Sequence, residues 1–287
     1  AHHEVLKEGF SADVLVDDIA PLSRFDEKVG EMSRRLADGV PDKSDREGVE
    51  LCRLEPVFTE DSIVYRYVRV HLDHDARTAD ITISAPQQSG PTNAEEALAA
   101  GSDWWILRAF RELDDALLHL RLEYLHIGTL TLHTRGDPRV ILDTDAVLEA
   151  DADHWFVAEV RHQLRRVLKR VDLTARSLFA IADEESCFAG TLLELALACD
   201  RTYLLNDPDH PVQMGISGLN GGAYPMSNGL TRLQTRFLGD PSRAKAVLAR
   251  KGVFDADEAD DLGLATVAPD VIDWEDDLRL ALEERAS

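Results

Sequence analysis

Cysteine is scarce in this chain of 287 residues, and the three that occur exclude two kinds of structure. Cys52, Cys187 and Cys199 have neither the spacing of a metal-binding motif nor that of a disulfide framework. We therefore expect a reducing, cytoplasmic compartment and no metal site. Long apolar runs are also missing, since none reaches the roughly 18 to 20 residues that a membrane span requires. The sequence predicts no membrane span and no signal peptide.

Positive charge is scarce as well, because 54 acidic residues stand against 31 basic ones and the formal net charge is −23. A surface this acidic repels phosphate backbones, which argues against nucleic-acid binding. Only six of the basic residues are lysines, a bias with more than one possible origin that indicates no function.

Two segments near the ends of the chain resemble each other. "VDDIAPLSRFDEKVGEMSRRLAD" and "LATVAPDVIDWEDDLRLALEERAS" each contain a short β-like run, an Ala-Pro turn, an aromatic residue followed by acids, and a helical pattern. The shared order indicates two similar domains. We therefore predict that residues 1–38 are the C-terminal tail of a first domain whose body is missing, that residues 39–60 are a linker, and that residues 61–287 are a whole second domain.

The predicted tail has an apolar face, and we expect that face to lie outside the core of the second domain. It consists of Val14, Val16, Ile19, Leu22, Phe25 and Val29.

Residues 61–287 have the pattern of an α/β domain. "IVYRYVRVHLD" and "TADITISAP" alternate apolar and polar residues, as an antiparallel hairpin does. "IGTLTLHTRG", "SLFAIAD" and "RTYLLND" are typical of further strands, and amphipathic helical patterns separate them. Strands that alternate with helices after an initial hairpin predict a fold built from ββα units.

The segment "EESCFAGTLLELALACD" combines a strand-to-helix turn with an apolar helix that carries a single carboxylate, Glu194. Such a turn directs free backbone N–H groups, here those of Gly190 and Thr191, towards a ligand above the helix N-terminus. This geometry suits a thioester oxyanion. Glu194 lies on the same side as Gly190 by its i, i+4 spacing, and burial would raise its pKa into the range of acid–base chemistry.

These residues resemble the crotonase, or enoyl-CoA hydratase, superfamily, in which a glycine run precedes a helix reading Glu-Leu-Ala-x-x-Cys-Asp. By that resemblance Glu194 falls on one of two catalytic glutamates, and Thr191 falls on the glycine that supplies the second oxyanion N–H. The loop "NGGAYPMSNG" becomes a wall of the acyl-CoA pocket, with Gly221, Gly222 and Tyr224 as lining residues. The implied fold is a crotonase-like ββα superhelix.

Within the superfamily, the chain resembles the second half of the benzoyl-CoA-dihydrodiol lyase family. The resemblance rests on "VYRYVRVHLD", "LTLHTRGD", "RSLFAIADEESCFAGTLLELALACDRTYLL" and "GAYPMSNGLTRLQTRFLG". It implies a ring-opening reaction of 2,3-epoxybenzoyl-CoA with water that releases formate and an aldehyde-bearing acyl-CoA. No cofactor is implied, because CoA is part of the substrate. The implied partners are the acyl-CoA thioester, a first crotonase-like half and further copies of the chain in a homo-oligomer.

The chain also departs from the superfamily pattern. The second catalytic glutamate would fall near Gly218, where there is no acid, and Thr191 and Leu192 stand where glycines flank the second oxyanion donor. We therefore expect this half to be mainly structural and inactive alone. The alternatives are a stand-alone enoyl-CoA hydratase-like enzyme and a non-catalytic scaffold or oligomerisation domain.

If Glu194 is a remnant of a catalytic site, a neighbour must bind it, since an unpartnered buried carboxylate costs several kcal/mol. We expect backbone N–H groups of "SGLNGGAYP", the Tyr224 hydroxyl or Arg232 to do so in a reduced pocket. In a working site, Glu194 would instead face an open cleft without a partner.

Three further motifs have simpler interpretations. Cys187 is interpreted as a small buried residue rather than a nucleophile. His71 and His74 in "HLDHD" are interpreted as part of a hairpin rather than a metal site. The third motif is an arginine cluster interpreted as a surface face or oligomer contact, with CoA-phosphate binding as the alternative: Arg161, Arg165, Arg166 and Arg170.

Overall fold

The computed structural model describes residues 16–41 and 48–286. The chain divides into two compact units, Ala1–Gly48 and Val49–Ser287. In the described part of the first unit, a 3-10 turn, Leu22–Arg24, leads into helix α1, Phe25–Asp38. Acidic residues lie in the first turn of α1, where they interact favourably with the helix dipole.

The apolar side chains of the first unit are exposed rather than enclosed in a core. Phe25 is 53% exposed and Leu22 is 92% exposed, and the others that stand open are Val16, Ile19, Val29 and Leu36. This exposure confirms the predicted apolar face for the described residues, while Val14 lies outside them.

A seven-stranded sheet in chain order forms the centre of the second unit. Its strands are β1 (Val57–Phe58), β2 (Ser62–Val64), β3 (Val68–Asp73), β4 (Thr78–Ser84), β5 (Thr129–Arg135), β6 (Ser177–Ala182) and β7 (Arg201–Leu204). The first four pair antiparallel, and β4 to β7 pair parallel. The sheet confirms the predicted α/β class and the antiparallel hairpin of β3 and β4.

Helices connect the parallel strands and cover one face of the sheet. They are α2 (Ala94–Ala100), α3 (Trp105–Leu122), α4 (Pro138–Ala150), α5 (Trp155–Asp172) and α6 (Gly190–Ala198). Their apolar stripes form one core with the inward-facing residues of the strands, including Ile81, Leu132 and Ala180. The apolar stripes of α3 and α5 account for the amphipathic helical patterns that the sequence shows between the strands.

The remaining elements follow β7. They are the two-stranded ribbon of β8 (Gln213–Ile216) and β9 (Gly252–Asp255), a 3-10 turn (Gly218–Gly221), and helices α7 (Arg232–Arg236), α8 (Pro241–Arg250), α9 (Ala256–Asp261) and α10 (Trp274–Ala286). Helix α10 covers the second face of the sheet at β6 and β7, where Ala281 packs with Phe179, Ile181 and Tyr203.

The second unit begins earlier than the sequence indicated. Residues 49–60 are assigned to it by their contacts, although their polar composition is typical of a linker. The carbonyls of Cys52 and Leu54 accept hydrogen bonds from Arg111 and Arg108 of α3. These contacts join residues that are more than fifty positions apart, so no local pattern reveals them.

Each of the two repeated segments forms a helix, and each helix begins at the aromatic residue of its segment. Phe25 is the first residue of α1, and Trp274 is the first residue of α10. Of the helices in residues 16–41 and 48–286, none is long and apolar enough to cross a membrane. Within the same residues, no group of three or more His, Cys, Asp or Glu side chains is arranged to hold a metal ion.

Candidate functional site

The candidate site lies where β6 ends and helix α6 begins. Gly190 is the first residue of α6 and has φ +46°, a left-handed conformation that favours glycine. A Cβ atom at this position would stand 1.9 Å from Oδ2 of Asp145, a residue of α4. The close approach of that carboxylate therefore requires a residue without a side chain.

Asp145 occupies the place above the helix N-terminus where the sequence predicts a thioester oxygen. The backbone N–H of Thr191 donates to Oδ2 of Asp145 at 2.8 Å, and the Thr191 hydroxyl donates to Oδ1 at 2.5 Å. The Ser217 hydroxyl donates to Oδ2 at 2.6 Å. The proposed second oxyanion donor is thus already engaged by a protein carboxylate.

Asp145 is 1% exposed, and this burial is the main influence on the pKa of its carboxyl group. Burial raises the pKa of Asp145 from 3.8 to about 7, and the hydrogen bonds from Ser217 and Thr191 oppose that rise. A carboxyl with such a pKa suits proton transfer at neutral pH. Both of its oxygens, however, accept hydrogen bonds from the protein, and the surrounding side chains cover the carboxyl group, so a substrate has no access to it.

Glu194 lies one turn further along α6 and is 2% exposed. Its Oε1 accepts a hydrogen bond of 2.7 Å from the side-chain amide of Asn220, and its Oε2 accepts one of 2.7 Å from Nη1 of Arg232. Burial raises the pKa of Glu194, while Arg232 and Asn220 lower it. The prediction that a neighbour binds Glu194 is confirmed, with Arg232 and the loop residue Asn220 as the partners.

Arg232 extends this network to the end of α5. Its Nε and Nη2 donate to the two carboxylate oxygens of Asp172 at 2.9 and 2.8 Å, a bidentate pair. Its Nη1 also donates to the carbonyl of Tyr224 at 3.0 Å. Arg232 is 1% exposed, so one buried guanidinium joins two buried carboxylates and three elements of the fold.

The structure brings four of the predicted site residues together and leaves two aside. Gly190, Thr191, Glu194 and Tyr224 are all buried, and the Tyr224 hydroxyl lies 3.1 Å from Oγ1 of Thr191. Burial raises the pKa of Tyr224. Leu192 and Leu193 are also fully buried, as expected of side chains that fill the volume beside the helix. The two residues that stand exposed are Gly221 and Gly222.

The position of the second glutamate is occupied in an unexpected way. Gly218 has no side chain, and a Cβ atom there would stand 2.0 Å from Oε1 of Glu149 on α4. Glu149 is exposed, and it lies one turn after Asp145 on the same side of α4. Helix α4 therefore places one carboxylate against each of the two positions at which the superfamily pattern has a functional group.

Sequence reasoning missed Asp145, Asn220 and Asp172. A signal for Asp145 existed, because it falls at helical spacing among Ile141, Thr144 and Leu148, which are all buried. A carboxylate on the apolar stripe of a helix predicts a buried partner.

The other candidate groups of the sequence have structural surroundings. Cys187 is buried, which raises the pKa of its thiol to about 12 and makes it a poor nucleophile. His71 lies on β3 and His74 in the turn that follows, in agreement with the hairpin interpretation. In the arginine cluster, Arg166 and Arg170 both donate to Asp114.

The chain is similar to known proteins in sequence and in structure. The chain is 42% identical over 274 residues to benzoyl-CoA-dihydrodiol lyase of Aromatoleum evansii. The aligned part is 95% of this chain and 49% of that protein, so the chain spans about half the length of the curated relative it matches. No protein-family model matches the chain.

Solved structures of enoyl-CoA hydratases share the fold. The enzyme from Geobacillus kaustophilus superposes with a TM-score of 0.53 at 16% identity, over 78% of this chain and 76% of that one. An enoyl-CoA hydratase/isomerase from Cupriavidus metallidurans gives a TM-score of 0.50 at 17% identity, over 77% of this chain and 74% of that one. At such identities the likeness shows the fold alone. The predicted resemblance is thereby confirmed: the chain has the crotonase fold and is similar, over almost its whole length, to about half of a benzoyl-CoA-dihydrodiol lyase.

Proposed function

We propose that this chain is the mainly structural part of an enzyme that opens the ring of 2,3-epoxybenzoyl-CoA with water. The reaction releases formate and an aldehyde-bearing acyl-CoA. The reaction class is supported by the 42% identity to a benzoyl-CoA-dihydrodiol lyase, and the structural role is supported by the geometry around Glu194. In this proposal the catalytic carboxylates lie in another crotonase-like half.

One observation carries the structural role: the N–H of Thr191 donates to the buried carboxylate of Asp145. Thioester polarisation requires N–H groups that point at the developing oxyanion and have no competing acceptor. The carboxyl oxygen of Asp145 at 2.8 Å takes the hydrogen bond and occupies the place where the oxyanion would form. An acyl-CoA could reach this N–H only after Asp145 had moved.

Glu194 has the wrong surroundings for proton transfer. A general acid or base needs a free oxygen within hydrogen-bond reach of the substrate. Here Asn220 and Arg232 engage one oxygen each. The ion pair between Glu194 and Arg232 instead has a structural role, because it connects helix α6 to α7. The bidentate pair between Arg232 and Asp172 extends this connection to α5.

Helix α1 has an exposed apolar face, for which we also propose a role. In the second repeat, α10 covers β6 and β7 through Ala281 and its neighbours. Helix α1 begins at the equivalent aromatic residue and has an apolar face of its own. We propose that this face covers the sheet of the first crotonase-like half in the same manner.

The experiment is a binding titration with crotonyl-pantetheine, a thioester that lacks the phosphates of CoA and therefore reports on the thioester site alone. We expect no saturable heat on titration into the chain, because Asp145 already occupies the N–H of Thr191. Saturable binding to the wild type that the Thr191→Pro variant loses would contradict the proposal, since proline removes the N–H in question.

A further inference from the structure

A cleft lined by arginines lies at the other end of the sheet from Glu194. Gly128, directly before β5, and Arg176, directly before β6, are among its lining residues, so it opens at the amino ends of the parallel strands. Helix α6 and its network follow the carboxyl end of β6. The cleft has a volume of about 320 Å³.

The lining of this cleft contrasts with the composition of the chain. Four of its ten lining residues are arginines, and none of the ten is acidic: the arginines are Arg77, Arg121, Arg170 and Arg176. The whole chain has 54 acidic and 31 basic residues, so a concave surface without a carboxylate is unusual in it. We call this surface the arginine cleft.

Two of the arginines are held in place by the fold. Nε of Arg176 donates to the carbonyl of Ile127 at 2.7 Å, and its Nη2 donates to the carbonyls of Leu120 and Tyr124. Nε of Arg170 donates to Asp114. Fixed guanidinium groups provide positive charge at defined positions and lose little entropy when an anion binds.

The other two arginines keep donors available. Arg121 is exposed and has no hydrogen bond or ion pair with any part of the chain that the structure describes. Arg77 has a side-chain hydrogen bond from Nε to the carbonyl of His126, which leaves its terminal nitrogens uncommitted among the described residues. Its φ of +58° lies in the left-handed region, which asparagine or glycine adopts at lower cost than arginine.

No acidic residue of the described ranges lines the cleft to neutralise the positive charges of its arginines. Burial and the nearby charge of Arg121 lower the pKa of Arg176, so the two guanidinium groups repel each other. Asp114, the carboxylate bound to Arg170, also accepts a hydrogen bond from Arg166 outside the cleft. A dianion placed among these groups would relieve the repulsion and accept several charge-assisted hydrogen bonds.

We propose that the arginine cleft is a binding site for a phosphate group, presented by inorganic phosphate or by a small phosphate monoester. Guanidinium groups match the tetrahedral oxygens of phosphate through paired N–H donors. The apolar side chains of Leu117 and Leu125, which also line the cleft, would contact the organic part of a monoester. The site is separate from the thioester site considered above and does not depend on its function.

The test is calorimetric titration with inorganic phosphate and with phenyl phosphate at constant ionic strength. We expect saturable binding to the wild type and about a tenfold or greater loss of affinity in Arg121→Gln, which removes one charge-assisted partner. Arg165→Gln is the matched control, because Arg165 lies on α5, carries the same charge and does not line the cleft. Its affinity should equal that of the wild type.

Tighter binding of phenyl phosphate would assign an organic monoester, and tighter binding of inorganic phosphate would assign the free ion. Equal losses in Arg121→Gln and Arg165→Gln would show that only net charge matters and would overturn the site. The absence of saturable heat with both ligands would overturn it as well.

Discussion

The backbone N–H of Thr191 donates a 2.8 Å hydrogen bond to Oδ2 of Asp145, a residue 46 positions earlier in the chain. In a crotonase-like site that N–H would polarise a thioester carbonyl. Here it stabilises a protein carboxylate instead, and Gly190 permits the approach because it has no Cβ. The same helix start can therefore serve either a substrate or the packing of α4 against α6.

Replacing Glu194 by Gln should destabilise the protein by about 1–3 kcal/mol. Asn220 and Arg232 each donate a hydrogen bond to one carboxylate oxygen of Glu194. In the Glu194→Gln variant an NH2 group replaces one of these oxygens, so one of the two donors would lose its acceptor. Urea denaturation gives the free energy of unfolding. Glu159→Gln is the control, since Glu159 is an exposed glutamate of α5 and should change stability by less than about 0.5 kcal/mol. A Glu194→Gln variant more stable than the wild type would indicate a site kept for catalysis.

The stability of the wild type relative to Asp145→Asn should depend on pH. The folded pKa of Asp145 is raised to about 7 from 3.8, so as pH rises between these values the unfolded chain releases a proton that the folded chain keeps. The free energy of unfolding of the wild type therefore falls over this pH range, by an amount on the order of 4 kcal/mol. Above the folded pKa, Asp145 causes no further decrease. Asn resembles the protonated form and lacks this loss.

The measurement is the difference in unfolding free energy between wild type and Asp145→Asn at several pH values. Glu194 is present in both proteins, so its own titration largely cancels in the difference. A difference that stays constant between about pH 4 and pH 7 would show that Asp145 is not buried as described.

Gly190→Ala should destabilise the protein by more than about 2 kcal/mol, because the added methyl overlaps Asp145 and the left-handed φ disfavours alanine. Gly239→Ala is the matched control. A Cβ there meets nothing within 4 Å, so we expect a change within about 0.5 kcal/mol. Thermal unfolding of both variants checks this prediction. An unchanged Gly190→Ala variant would mean that Asp145 does not approach α6 closely.

Much of the fold could be predicted from the sequence, because its signals are local. The alternation in β3 and β4 and the apolar stripes of α3 and α5 are readable from periodicity alone. The start of the second unit could not be predicted in this way. Residues 49–60 are polar, and it is the distant side chains of Arg108 and Arg111 that hold them to α3.

The candidate site was predictable in part. Glu194 stands out as an acid in an apolar helix, and Arg232 was among its expected partners. Asp145 and Asp172 were not identified, since they come from α4 and α5 and only the tertiary packing brings them to α6 and α7. A buried polar network joins residues that are far apart in sequence, so one sequence alone shows its members without their connections.

We propose that Glu194 and the N–H of Thr191 serve the fold and not a reaction. The most direct test of this proposal is the addition of the chain to crotonyl-CoA while the absorbance of the enoyl thioester is followed, with the Glu194→Gln variant assayed in parallel. We expect no loss of absorbance with either protein, because Asp145 binds the N–H of Thr191 and Arg232 binds Glu194. Turnover by the wild type that the Glu194→Gln variant abolishes would contradict it.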